Sequence, residues 1–142
     1  MKVFLVRHGT RNFTMGDVPL NEEGLLEAKE LAKNSRFSNV QSLLSSPKKR
    51  AQMTIQPLAE KYNLQIQTFD DLDQMKNHEG EKEFLSRVRQ FLTRIEEGNF
   101  GTSVMVCSHS DWLAAAAQIL PTDSLDLKYK MFQCAEVLEF HI

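Results

Sequence analysis

The sequence predicts an α/β protein: a three-layer sandwich in which a mostly parallel central sheet carries helices on both faces. Three observations lead there. The runs Val3–Val6 and Val104–Cys107 are apolar without alternation, as strands buried on both faces are. The longer segments between strands repeat their apolar residues with helical spacing and carry cap residues at their starts. Strand-like and helix-like segments alternate in the order β-α-β-α, the pattern of crossover units that make parallel sheets.

The elements follow in chain order. Val3–Val6, β-branched at both ends, reads as a buried strand. Asn21–Lys33 reads as a helix: Asn21 can cap it, Glu22 and Glu23 sit in its first turn, and Leu25, Ala28, Leu31 and Ala32 share a face. Val40–Ser45 reads as a second strand. Ser46 then reads as a helix cap and Pro47 as a first helical residue, opening a helix with Ala51, Thr54, Ile55, Leu58, Ala59 and Tyr62 along one stripe. Leu64–Phe69 alternates as a third strand does. Asp70–Gly80 reads as a solvated acidic loop. Glu81–Glu97 reads as a helix with Phe84, Val88, Phe91, Leu92 and Ile95 inward, closed by Gly98. Ser103–Cys107 is a further strand, Ser108 to Ser110 turn the chain into a helix through Leu113, Ala114, Ala117 and Leu120, and Glu136–Ile142 alternates as an edge strand does.

With 142 residues, 42% hydrophobic and 25% charged, the chain has the length of one domain over residues 1–142 and the makeup of an ordinary globular protein. Its net charge of −2 points away from nucleic acid and from anionic membrane as partners. Any bound anion therefore needs a local cluster of positive groups. The two cysteines, Cys107 and Cys134, lack metal-binding spacing and read as reduced thiols of a cytoplasmic protein. The first apolar run, Val3–Val6, is too short for a signal segment or a membrane span. The oligomeric state is open, a monomer being compatible with the sequence.

In sheets of this kind, ligands bind beyond the carboxyl ends of the strands. Arg7 and His8 follow the first strand, Ser45, Ser46 and, one helical turn on, Arg50 follow the second, and Ser108 and His109 follow the Ser103–Cys107 strand. Two histidines and two arginines thus converge on one rim. Arginine forks bind two oxygens of a phosphoryl group at once. With one imidazolium they offset a phosphate dianion without a metal, and the other histidine, if neutral, has a ring nitrogen free to attack phosphorus. A metal site built on the two histidines has little support beside arginines.

These residues stand in segments that resemble the histidine phosphatase (phosphoglycerate mutase-like) superfamily. Arg7-His8-Gly9 follows the N-terminal strand. Pro19-Leu20-Asn21-x-x-Gly24-x-x-x-Ala28, Ser45-Ser46-Pro47-x-x-Arg50-Ala51-x-x-Thr54 and Val104-Met105-Val106-Cys107-Ser108-His109 come after it in the family's order and spacing. The resemblance implies that His8 becomes phosphorylated and that Arg7, Arg50 and His109 form the phosphate pocket, with Gly9 and Ser110 contributing. It implies the family's α/β sandwich and no metal or organic cofactor.

Two departures stand out. Larger members have an Asn six residues after the nucleophile, where this chain has Thr14, with Arg11 and Asn12 nearby as polar groups. They also carry a catalytic glutamate in an L-x-E segment, where this chain reads Leu72-Asp73-Gln74. Asp71, Asp73, His78 or Glu79 can replace that acid only if the loop folds inward. Asp73 and Glu79 are the named candidates. A missing general acid suits a phosphoramidate, whose leaving nitrogen can be protonated beforehand, better than an alkyl ester. With so short a segment before the following helix, the chain resembles the compact, SixA-like phosphohistidine phosphatase branch. The expected partner is thus a protein carrying phosphohistidine. The alternatives are a phosphatase of small phosphorylated metabolites using Asp73 or Glu79 as acid, and a non-catalytic phosphate-binding module.

Overall fold

The computed structural model describes residues 1–142. Five strands form one sheet: β1 (Lys2–Arg7), β2 (Ser42–Ser45), β3 (Ile66–Thr68), β4 (Ser103–Ser108) and β5 (Val137–His141). Five helices accompany them: α1 (Glu22–Lys33), α2 (Lys49–Tyr62), α3 (Glu81–Glu96), α4 (Ser110–Ile119) and the short α5 (Leu125–Lys128). The sheet order is β3-β2-β4-β1-β5. The first four strands are mutually parallel and β5 runs antiparallel to β1 at the edge. The sheet is therefore mostly parallel, as its unbroken apolar runs require.

Strand residues alternate between two cores, which makes the three layers. Val3, Leu5, Leu44, Val104 and Val106 face a cluster with Phe84, Val88, Phe91 and Ile95 of α3 and Trp112 and Leu113 of α4. Phe4, Val6, Leu43, Met105 and Cys107 face the other way, onto Leu31 of α1 and Ala51, Ile55 and Leu58 of α2. No helix is long and apolar enough to cross a membrane.

β4 is inserted between β1 and β2, so the strand order reverses there. The registers Arg7↔Ser108 and Ser45↔Cys107 bring the carboxyl ends of all three strands level. That is the place where an open α/β sheet leaves a crevice.

Several local expectations are corrected. α2 begins at Lys49 with Lys48 at its cap position, so Ser46 is not the cap and Pro47 is not helical. Ser46 turns its hydroxyl to a histidine instead. β3 is three residues long, and Val40 and Gln41 lie before β2. The Asp70–Gly80 segment is not simply solvated: Asp70–Leu72 form a single 3₁₀ turn, and Leu72 and Asp73 are buried. The reason is that other elements satisfy its carbonyls. Arg87 of α3 donates to Asp71 O and Asp73 O, both at 2.8 Å, Ser108 Oγ donates to Leu72 O at 2.6 Å, and Trp112 Nε1 donates to Asp71 O at 2.8 Å. α5 lies in a stretch with no helical pattern strong enough to announce it.

Candidate active site

Arg7, His8, Arg50, His109 and Ser110 line one cleft of about 340 Å³ at the carboxyl ends of β1, β2 and β4. The imidazole rings of His8 and His109 stand 5.2 Å apart, centroid to centroid. His8 is at the end of β1, where its N–H donates to Ser108 O at 3.1 Å. His109 follows β4 and is the cap residue of α4. Arg50 comes from the first turn of α2, almost wholly buried.

The tautomer of His8 follows from one contact. Its Nδ1 lies 2.8 Å from the carbonyl oxygen of Gly9, which only accepts. Nδ1 therefore carries the hydrogen, and Nε2 keeps its lone pair. Burial lowers the His8 pKa to about 4, the Gly9 hydrogen bond opposes this, and Arg50, Arg7 and Arg11 add to the lowering. A neutral imidazole with a bare Nε2 at pH 7 is a nucleophile.

The protein meets only part of the arginines' hydrogen-bonding capacity. Arg7 Nη1 donates to Phe132 O at 2.8 Å, and Arg50 Nη2 to Gln74 Oε1 at 3.1 Å. Arg7 Nε, Arg50 Nε and Arg50 Nη1 are buried with no partner. Burial and the nearby Arg11 charge both work against the Arg50 cation. Unpaired buried donors of this kind cost free energy unless an acceptor meets them, and an oxyanion supplies several acceptors at once.

His109 departs from the expectation of an imidazolium. Burial, followed by Arg50, His8, Lys48 and Arg11, lowers its pKa to about 2. Both rings are thus neutral near pH 7, chiefly through burial, with the surrounding cations adding to it. Ser46 Oγ lies 2.8 Å from His109 Nε2.

Other sequence candidates take different places. Gly9 does not line the cleft. Its N–H donates to Thr54 Oγ1 at 2.8 Å, and a Cβ there would crowd Gly24 and Glu27, so it serves close packing against α1. Glu79 is held by Arg87 in a two-point ion pair at 2.7 and 2.8 Å, away from the cleft; that hydrogen bond is the main cause that lowers its pKa to about 2. A carboxyl so held is not a proton donor at pH 7. His78 is exposed, and Asp71 contributes its carbonyl to the loop. Asp73 is buried but lies behind His109, outside the cleft lining. Gln74 does line the cleft, at the position of the expected glutamate. Arg11 lines it too, whereas Asn12 and Thr14 do not.

Sequence reasoning missed Asp111, a carboxylate on the cleft wall that accepts Trp112 N–H at 2.7 Å and Met75 N–H at 2.9 Å. It missed Phe13 and Cys134 on the same wall, for which no motif gives a signal. Thr54 was visible as a polar residue on the apolar stripe of its helix and Ser46 as a cap within the second motif, and both are fully buried. No group of three or more His, Cys, Asp or Glu side chains converges as metal ligands do.

Solved structures share this fold over nearly the whole chain. The alpha-ribazole phosphatase from Shigella flexneri superposes with a TM-score of 0.80 at 18% identity, covering 100% of this chain and 91% of that one. The protein histidine phosphatase SixA complexed with tungstate gives 0.75 at 21% identity, covering 98% and 86%. A mutant phosphoserine phosphatase from Entamoeba histolytica, in complex with phosphoserine, gives 0.76 at 16%, covering 99% and 90%. No curated protein sequence matches the chain. Residues 3–81 match the sequence profile of the Histidine phosphatase superfamily (branch 1), more than half of the chain and including Arg7, His8 and Arg50. With His109 brought to the same cleft by β4, the chain belongs to the histidine phosphatase superfamily and is a phosphatase.

Proposed function

We infer that the chain acts through a phosphohistidine intermediate on His8 and that its substrate is phosphohistidine in a protein. One observation carries the reading: a neutral His8, its Nδ1 tied to Gly9 O, shares a cleft with buried guanidinium N–H groups of Arg7 and Arg50 that have no protein partner. In the first step Nε2 attacks phosphorus and the bond from phosphorus to the substrate nitrogen breaks; the substrate ring, already protonated on its other nitrogen, takes the electron pair and leaves as a neutral imidazole. Water then attacks the phosphoryl group on His8, giving inorganic phosphate, a proton and free His8. Arg7, Arg50, His109 and the start of α4 at Ser110 hold the equatorial oxygens through both steps.

The acid side of the cleft supports a nitrogen leaving group. Gln74 replaces the glutamate, Glu79 is committed to Arg87, and Asp73 is behind His109. Exchange of one phosphorus–imidazole bond for another is close to balanced in energy and needs no strong acid. Phe13, 96% exposed on the cleft wall, offers an apolar contact to a protein surface. The free thiols Cys107 and Cys134 fit a cytoplasmic site of action.

A second reading, hydrolysis of small phosphomonoesters, draws on Asp111, the one carboxyl among the residues that line the cleft. One experiment separates them: turnover of a phosphohistidine protein, p-nitrophenyl phosphate and an alkyl phosphate, with acid-quench labelling of wild type and His8→Ala. The first reading expects turnover of the phosphohistidine protein, slow alkyl phosphate hydrolysis and no label or activity in His8→Ala. Fast alkyl phosphate turnover favours the second. Near-wild-type activity in His8→Ala defeats both, and no label or turnover on any substrate leaves a binding module.

A further inference from the structure

Asp73 is buried behind His109. Its Oδ1 lies 3.6 Å from His109 Nε2 and its Oδ2 lies 3.7 Å from Lys48 Nζ. It is the one carboxylate with an oxygen within 4 Å of a ring nitrogen of His8 or His109. Ser46 Oγ, fully buried, lies 2.8 Å from the same Nε2. On the other side of the ring, Arg50 Nη2 lies 3.4 Å from Nδ1. A guanidinium only donates, so Nδ1 accepts and Nε2 carries the hydrogen that Ser46 Oγ receives. The ring thus turns an N–H toward Ser46 and Asp73 and a lone pair toward Arg50, which lines the cleft.

We propose that Asp73 and Ser46 are positioning residues of phosphoryl transfer: they hold His109 so that an arriving phosphoryl dianion draws a proton onto Nδ1, and the Asp73 carboxylate balances the cation from behind. The proposal rests on the phosphatase reading of this cleft. Burial is the largest factor opposing protonation of His109, followed by Arg50 of α2, the neighbouring titratable ring of His8, Lys48 before α2 and Arg11 after β1. Asp73, from the segment before α3, is the nearby group of opposite sign. A carboxylate at such range favours the imidazolium by about one pH unit or more. It does not reach the leaving group, so its influence on the reaction runs through His109.

Asp73 also serves its own turn, since Oδ1 accepts Gln74 N–H at 2.9 Å. Asp73→Asn keeps that acceptor and the shape while removing the charge. Lys48→Met removes a cation that both opposes His109 and competes for Asp73, so its effect has the opposite sign.

The test is the pH dependence of inorganic phosphate binding to wild type, Asp73→Asn, Ser46→Ala and Lys48→Met, with ¹⁵N NMR of the His109 ring at saturating phosphate. Affinity that depends on an imidazolium falls as pH rises through the ring's pKa in the complex. Phosphate's own ionisation is common to all variants and cancels in ratios. In Asp73→Asn the fall should begin about one pH unit lower, with about tenfold weaker binding at alkaline pH and near-wild-type binding at acid pH. Lys48→Met should shift it upward. Ser46→Ala should broaden the Nε2–H signal and weaken binding in the same sense as Asp73→Asn. Near neutral pH the wild-type complex should show both ring nitrogens protonated and the Asp73→Asn complex only one. An Asp73→Asn curve parallel to wild type, whether coincident with it or uniformly lower, overturns the proposal. Absence of phosphate binding by wild type overturns the phosphatase reading itself, and this inference with it.

Discussion

The two site histidines are each set by one or two hydrogen bonds that fix the ring proton. Gly9 O decides that His8 offers Nε2, and Arg50 decides that His109 accepts at Nδ1. Arg50 carries the larger burden, because two of its buried nitrogens have no protein partner. Arg50→Ala should lower kcat/KM by about 10²–10³-fold, the loss expected of one transition-state donor. Steady-state kinetics on p-nitrophenyl phosphate read this, and a change of under threefold would show that Arg50 does not touch the phosphoryl group. The four residues at this rim were legible because motif spacing and strand ends both pointed to them. Ser46 was legible only as a member of the second motif and as a helix cap. Which ring nitrogen it meets depends on a histidine 63 residues away, and no local pattern encodes that.

The loop carrying His8 is held by helices. Thr54 of α2 accepts the Gly9 N–H and passes its own hydrogen to Arg50 O at 2.7 Å. Glu27 of α1 accepts Thr10 N–H at 2.7 Å. Gly24 of α1 faces the backbone of Thr10 so closely that any Cβ there would overlap the Thr10 carbonyl. This is the physical reason for a glycine in the Pro19–Ala28 segment. Gly24→Ala should push that loop off α1, destabilise the fold by about 1–3 kcal/mol and lower phosphate affinity together with it. A lower denaturant midpoint with weaker phosphate binding checks this; unchanged values for both would mean the loop yields freely. The acidic loop shows the opposite lesson. Its composition reads as solvated, yet Arg87 of α3 reaches three of its carbonyls and binds Glu79 as well. One half-buried arginine from the helix that follows the loop reversed the expectation.

For the molecule as a whole, two buried neutral histidines couple stability to pH. Their ordinary pKa is 6.5, and folding lowers it to about 4 for His8 and about 2 for His109. Between pH 6.5 and about 4 the unfolded chain binds more protons than the folded one, so stability is present above pH 6.5 and is lost on acidification. The slope approaches about 1.4 kcal/mol per pH unit for each histidine. Thermal melts from pH 7.5 to 4.5 should show a falling Tm. Millimolar phosphate, which raises both folded pKa values, should raise Tm and flatten the dependence. A Tm unchanged across this range would mean that the rings titrate alike in the folded and unfolded chain, and a Tm that rises on acidification that they are already charged in the fold.

The amino-acid order by itself determined the layers and the residue types at the rim. Unbroken apolar runs demand strands buried on both faces, helical periodicity demands covers for them, and both are local properties of the chain. The tertiary structure alone decided which groups meet. The insertion of β4 between β1 and β2 sets His8 and His109 5.2 Å apart and places Asp73 behind the second ring. Hydrogen-bond direction, ring charge and the burial of Leu72 and Asp73 depend on contacts between residues far apart in the chain, so they exist only once the sheet is assembled.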